Sequence, residues 1–139
     1  MIHKANIKVY FKNASILRAI CRTIRLSDKV RACVAWCTNP RILDALEERD
    51  SEIIMTRAKC NRWKRAIKVK YMGSGRGKNK VLLHHKFAVC FRKGKPHTII
   101  TGSYNWTKSA SRHYENITII EDPDIAEGFY EEFCRLRKL

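Results

Sequence analysis

Between Glu52 and Glu115 the chain contains no acidic residue, while the same 62 positions, Ile53 to Tyr114, hold 16 lysines and arginines. The remaining residues carry 13 basic and 13 acidic side chains, so this one segment accounts for the whole net charge of +16. A solubilising surface does not require the exclusion of every carboxylate. A positive block of this length instead draws in polyanions, and binding to nucleic acid releases its condensed counterions. Nucleic acid is therefore the expected partner, with an anionic membrane surface second. Other absences narrow the class. No apolar run approaches the ~18 residues of a membrane-spanning helix, so no stable membrane insertion is expected. The opening MIHKANIKVYFK lacks the apolar core of a signal peptide, so a cytoplasmic protein is expected, in the cytoplasm of a host cell if a virus encodes it. No CxxC pair occurs among Cys21, Cys33, Cys37, Cys60, Cys90 and Cys134. In a reducing compartment they are expected as free thiols packed like small apolar groups. Cys33 and Cys37 fall on one face of an expected strand, but no further metal ligand accompanies them.

What is present reads as a folded domain. Of 139 residues, 45% are apolar and 30% charged, and neither an internal repeat nor a linker divides them, so residues 1–139 are taken as one domain. Asn6–Phe11 alternates polar and apolar residues as a half-buried strand does. Asn13 is placed to cap a helix whose Ile16, Leu17, Ile20 and Ile24 recur at helical spacing. Val30–Cys37 follows as a strand, then a helix opened by Asn39-Pro40. Next come a short strand from Glu52 to Thr56, a basic helical segment over Lys59–Ile67 and a strand from Ile67 to Met72. Gly73–Lys80 (GSGRGKNK) reads as a mobile basic loop. It is not a phosphate-cradling P-loop, because GxxxxGK[ST] is missing and a strand follows where a helix should begin. Val81–Phe91 is expected as one long strand, turning at Arg92–Pro96 into a return strand, Thr98–Gly102. Tyr114–Ile120 adds another strand. Asp122-Pro123 starts a closing helix with Ile125, Phe129, Phe133 and Leu136 on one face. This alternation predicts an α/β fold, a mixed sheet flanked by helices.

The densest reactive cluster lies in the expected long strand. His84 and Lys86 are two residues apart and so leave the same face, while His85 leaves the other. An imidazole beside an ammonium suits a nucleophile or proton donor. In Thr101-Gly102-Ser103-Tyr104-Asn105-Trp106, Ser103 and Asn105 again share a face and can hydrogen-bond anionic oxygens. Glu115, the lone carboxylate of the region, is suited to fixing an imidazole tautomer. Arg76, Lys78 and Lys80 in the glycine-rich loop, with Lys108 and Trp106 in the second cluster, are candidate substrate contacts. Trp63, Tyr71 and Trp106 fit either stacking on bases or the core.

The ordered set H84-x-K86, G102-S103-Y104-N105-W106 and E115-N116 resembles the phospholipase D superfamily. It is most similar to the short, single-motif members, the small bacterial endonucleases and mitochondrial cardiolipin hydrolases. The resemblance implies a phospholipase D-like half-domain and a metal-independent phosphodiesterase without cofactors. It implies His84 as nucleophile or acid, Lys86 and Asn105 on phosphate oxygens, Ser103 supporting that pocket, and Glu115 orienting His84. Because family chemistry needs two histidines and this chain has one HxK, it also implies a homodimer that unites two copies of His84. The family pattern has an aspartate five residues after the motif lysine, where this chain has Phe91, so a carboxylate is expected to be lost near the site. The Arg92–Pro96 connection is also read as longer than a minimal turn. The expected function is an endonuclease. The alternatives are a catalytically impaired nucleic-acid-binding module and a phospholipid phosphodiesterase.

Overall fold

The computed structural model describes residues 6–74 and 77–139. One eight-stranded sheet contains β1 (Asn6–Tyr10), β2 (Lys29–Val34), β3 (Asp50–Thr56), β4 (Lys68–Ser74), β5 (Val81–Leu82), β6 (Lys86–Arg92), β7 (Lys95–Gly102) and β8 (Ile117–Glu121). Their spatial order is β1-β8-β7-β6-β2-β3-β4-β5. The sheet is mixed as expected: β2, β3 and β4 run parallel, and the other pairings are antiparallel.

Strand alternation sends side chains into two separate cores. Val30, Ala32 and Val34 of β2, with Ala88 and Cys90 of β6, pack under α1 (Asn13–Arg25) and α2 (Pro40–Glu47). Phe87, Val89 and Phe91 point the opposite way, under α3 (Pro123–Arg137). The helices follow local chemistry. Ile16, Ile20 and Ile24 of α1 are fully buried. Pro40 occupies the first turn of α2 while Asn39 accepts a hydrogen bond from the Arg41 amide at 3.0 Å. Asp122 caps α3 by accepting from the amides of Asp124 and Ile125.

Several expectations are corrected. Ile7, Val9 and Phe11 are largely exposed, because β1 is the sheet's edge and the helices cover its centre. Asn13 does not cap α1; it lies inside the helix and donates to the Ser111 carbonyl. Lys59–Ile67 is not a helix beyond a 3-10 turn at Lys59–Asn61. There, Asn61 is completely buried, its amide donating to the carbonyls of Ala35 and Thr56 and accepting from the Cys37 amide. These tertiary bonds take the place of helical ones. Cys33 and Cys37 face different cores, since β2 ends at Val34 and its alternation ends with it. Gly73 and Ser74 belong to β4, and Gly77–Asn79 forms a 3-10 turn. Gly75 and Arg76 of that expected loop lie outside the described residues. The β6–β7 connection is minimal, not long. Lys93 and Gly94 both have positive φ, 51° and 75°, in a two-residue turn closed by the Arg92–Lys95 pair, the geometry that matches the twist of a hairpin.

Candidate active site

The expected strand from Val81 to Phe91 is broken. Its two ends belong to β5 and β6, and Leu83–His85 forms an irregular link between them. The break puts His84 and His85 at the start of β6, beside the carboxyl end of β2, where the Ala35 amide donates to the His85 carbonyl at 2.8 Å. Lys86 turns back over His84. Its ammonium donates to the His84 carbonyl at 2.9 Å and lies 3.4 and 3.5 Å from the two ring nitrogens. The ion thus sits against the imidazole and contributes a positive field to it. Trp36 meets the same ring edge-on, with centroids 6.0 Å apart and planes at 86°.

The second motif arrives from β7. Gly102 has φ +157°, and a Cβ there would stand 2.2 Å from the Asn116 carbonyl oxygen and 2.8 Å from Ile117 Cα. Only glycine permits this approach of β7 to the segment leading into β8. Ser103 then exchanges hydrogen bonds with Asn116, its amide donating to the Asn116 carbonyl and its hydroxyl accepting from the Asn116 amide. The next residues are stitched to the segment after β2. The Trp106 amide donates to the Trp36 carbonyl, and the amides of Thr38 and Asn39 donate to the Trp106 carbonyl.

His84, Lys86, Ser103, Asn105 and Glu115 consequently line one open cleft of about 880 Å³. Asn105 Oδ1 is buried there and has no hydrogen-bond partner among the described residues, and a buried polar atom of this kind calls for one. Burial lowers the pKa of Lys86, and the negative charge of Glu115 opposes the shift. Among the described residues no hydrogen bond joins Glu115 to His84, while the Glu115 charge acts on Lys86.

Two further titratable residues line the cleft. His85 Nε2 lies 3.0 Å from Glu132 Oε2, and both line the cleft. Glu132 is held down at about 2, chiefly by the hydrogen bond from Arg135, with His85 adding to it against the opposing effect of burial. The alternation rule assigned His85 to the opposite face, and strand irregularity removed the basis of that rule. Glu132 carried no local signal because 47 residues separate it from His85. Ile125, expected in the core, instead lies 37% exposed along the cleft with Phe129.

The remaining candidate contacts lie elsewhere. Trp106 is only 1% exposed, so it is core and offers no stacking face, the bridge to Cys37 having drawn it inward. Trp63 and Tyr71 are likewise tied into the fold, donating to the carbonyls of Cys37 and Asn61. Lys78 and Lys80 are exposed but outside this cleft. Lys108 lines an adjoining one of about 620 Å³, which shares Asn105. Phe91 is not near the site. It is 2% exposed under α3, edge-to-face with Tyr130 at 5.0 Å. Five residues of strand separate it from Lys86, about 17 Å at ~3.4 Å per residue.

The fold has counterparts among known proteins. NucT from Helicobacter pylori superposes with a TM-score of 0.78 over 97% of both chains at 15% identity. Nuc from Salmonella typhimurium, a phospholipase D family member, gives 0.75 at 21% identity, covering 95% of this chain and 93% of that one. In sequence, 55 residues are 44% identical to mouse (Mus musculus) mitochondrial cardiolipin hydrolase, a stretch covering 39% of this chain and 23% of that protein. The profile of the family described as cardiolipin synthase, PLD-like domain, matches residues 7–137, and the chain belongs to that family.

Proposed function

We propose that this protein is a metal-independent endonuclease that hydrolyses the nucleic-acid backbone through a phosphohistidine intermediate as a homodimer. The supporting observation is the convergence of His84, Lys86, Ser103, Asn105 and Glu115 on one open cleft in a chain whose positive charge is concentrated around those motifs. In the first step, a ring nitrogen of His84 attacks phosphorus and forms the P–N bond as the P–O bond to the leaving strand breaks. His84 of a second copy protonates that leaving oxygen. Water then attacks the phosphoramidate, breaking the P–N bond, while the second imidazole takes the water's proton. Two easier displacements thereby replace one difficult hydrolysis. Lys86 and the Asn105 amide stabilise charge on the non-bridging oxygens, and Ser103 supports their pocket. Phosphate contacts carry no base information, so cleavage is expected to show little sequence preference.

The apolar wall of Ile125 and Phe129 favours a second reading, phospholipid hydrolysis, which the name of the cardiolipin hydrolase relatives also suggests. Among the described residues no helix is long and apolar enough to cross a membrane. Phe91 does not line the cleft, which weighs against the impaired-module reading. One assay separates all three. Plasmid, single-stranded DNA, RNA and cardiolipin vesicles are incubated with the protein and with His84→Ala in EDTA. Nucleic-acid cleavage lost in the variant, with an acid-labile phosphohistidine trapped in the parent, is the expected result. Hydrolysis of vesicles alone establishes the lipid reading, and binding without turnover the third.

A further inference from the structure

The charge arithmetic of the sequence conceals a second basic feature. Before Asp28 there is no acidic residue, and α1 contributes Arg18, Arg22 and Arg25 at helical spacing. Arg41 of α2 joins them. With Tyr10 and Ser15, the four arginines line a cleft of about 610 Å³. Arg25 pairs with Glu48 at 3.5 Å. Among the described residues Arg18, Arg22 and Arg41 form no ion pair, and Asp44 of α2 is held by Arg65. Burial raises the pKa of the Cys21 thiol in the same cleft; Arg25 and Arg41 oppose the shift and Asp44 adds to it, in line with charges of both helices lying near one another.

Like charges converge in this way at a standing electrostatic disadvantage that an anion relieves. The planar guanidinium fork is matched to phosphate, which it binds bidentately. Arg18 to Arg25 spans about 10 Å at ~1.5 Å rise per residue, long enough to meet more than one backbone phosphate. Arg41 follows Pro40, which lines the adjoining cleft of about 620 Å³ with Trp36 and Lys108, and that cleft shares Asn105 with the catalytic one.

We propose that the α1–α2 arginine cluster is a second, non-catalytic site for the sugar-phosphate backbone, holding a distal part of the nucleic acid whose scissile phosphate lies in the His84 cleft. It rests on the nucleic-acid reading above. In the test, fluorescence anisotropy follows 30-nucleotide and 6-nucleotide single-stranded DNA over a range of salt, with His84→Ala as the uncut background. Into it are introduced the pair Arg18→Gln and Arg22→Gln, and separately Arg41→Gln. Arg18, Arg22 and Arg41 are exposed, and thermal melting checks each fold. The double variant is expected to lose about tenfold in affinity for the long strand, with the slope of log affinity on log salt reduced by about 1.4 for two lost phosphate contacts. Binding of the short strand changes by less than about twofold, since it cannot reach both sites. Arg41→Gln shows the same selective loss, and Arg18→Lys with Arg22→Lys recovers part of it. Unchanged long-strand binding overturns the second site and leaves the nuclease reading standing. Equal losses on both strands place the arginines at the catalytic cleft and also overturn it. If the background variant binds cardiolipin vesicles but neither oligonucleotide, the nucleic-acid reading fails and the proposal fails with it.

Discussion

Replacing Phe91 tests whether the residue that departs from the family pattern belongs to catalysis or to the core. Its ring is 2% exposed, meets Tyr130 at 5.0 Å and lies beneath Lys29 Nζ at 4.5 Å from its centroid. Truncation of a buried phenylalanine to alanine costs about 3–5 kcal/mol in lost transfer energy and residual cavity. For a chain of this size, roughly 3–5 °C of melting temperature accompany each kcal/mol, so Phe91→Ala is expected to melt about 10–20 °C lower. Phe91→Asp loses the same packing and adds a carboxylate to an apolar layer, where an unpaired charge costs several kcal/mol more. Lys29 offsets part of that by supplying a counter-charge. Domains have only about 5–15 kcal/mol of total stability, so the aspartate variant is expected at the margin of folding. Turnover should follow a different pattern. With about 17 Å of strand between Phe91 and Lys86, Phe91→Leu and Phe91→Ala assayed well below their melting midpoints should retain kcat within about threefold. Melting curves and single-turnover rates on the same preparations decide the matter. A loss below about 1 kcal/mol, or a tenfold fall in kcat in a variant shown to be folded, refutes this placement.

Gly102→Ala should displace the Asn116 segment, because its Cβ would stand 2.2 Å from that carbonyl oxygen. A loss of about 1–3 kcal/mol or more in denaturant melts is expected, together with a fall in kcat as Ser103 shifts. Lys86 should give kcat/KM an alkaline limb below the ordinary lysine range, because burial disfavours its ammonium and kcat/KM reports the free enzyme. Glu115→Gln removes the opposing charge and should move that limb to still lower pH; an upward or absent movement contradicts the pairing. Glu132, held at about 2, contributes stability that is fully present above its unfolded pKa of about 4.5 and is lost as pH falls through the folded value. Glu132→Gln should therefore flatten acid melting between about pH 5 and 2, measurable by melts across that range.

Much of the fold was legible because burial here follows simple periods. Ile16, Ile20 and Ile24 repeat at the helical interval and are fully buried, and Asn39-Pro40 and Asp122-Pro123 each open a helix where capping chemistry places it. The site motifs were legible for another reason. Gly102, Ser103 and Asn105 lie close together in sequence, and the close backbone approach at Gly102 admits no side chain. The failures fall where tertiary contacts replaced local ones. Asn61 draws its hydrogen bonds from Ala35, Cys37 and Thr56, so a basic segment that looked helical became a pinned loop. The break before β6 freed His85 from strict alternation and brought it to Glu132 on a helix 47 residues away.

The amino-acid sequence by itself determined the mixed α/β architecture, the concentration of positive charge and the motif residues His84, Lys86, Ser103, Asn105 and Glu115 that meet in the cleft. These follow from periodicity, composition and short-range backbone constraints, which act between near neighbours. Tertiary structure alone decided that Phe91 is core, that Trp106 is buried, that Glu115 answers Lys86, and that four arginines from two helices share one cleft. Each depends on distances between residues far apart in the chain, and only the packed sheet and its two helical layers set those distances.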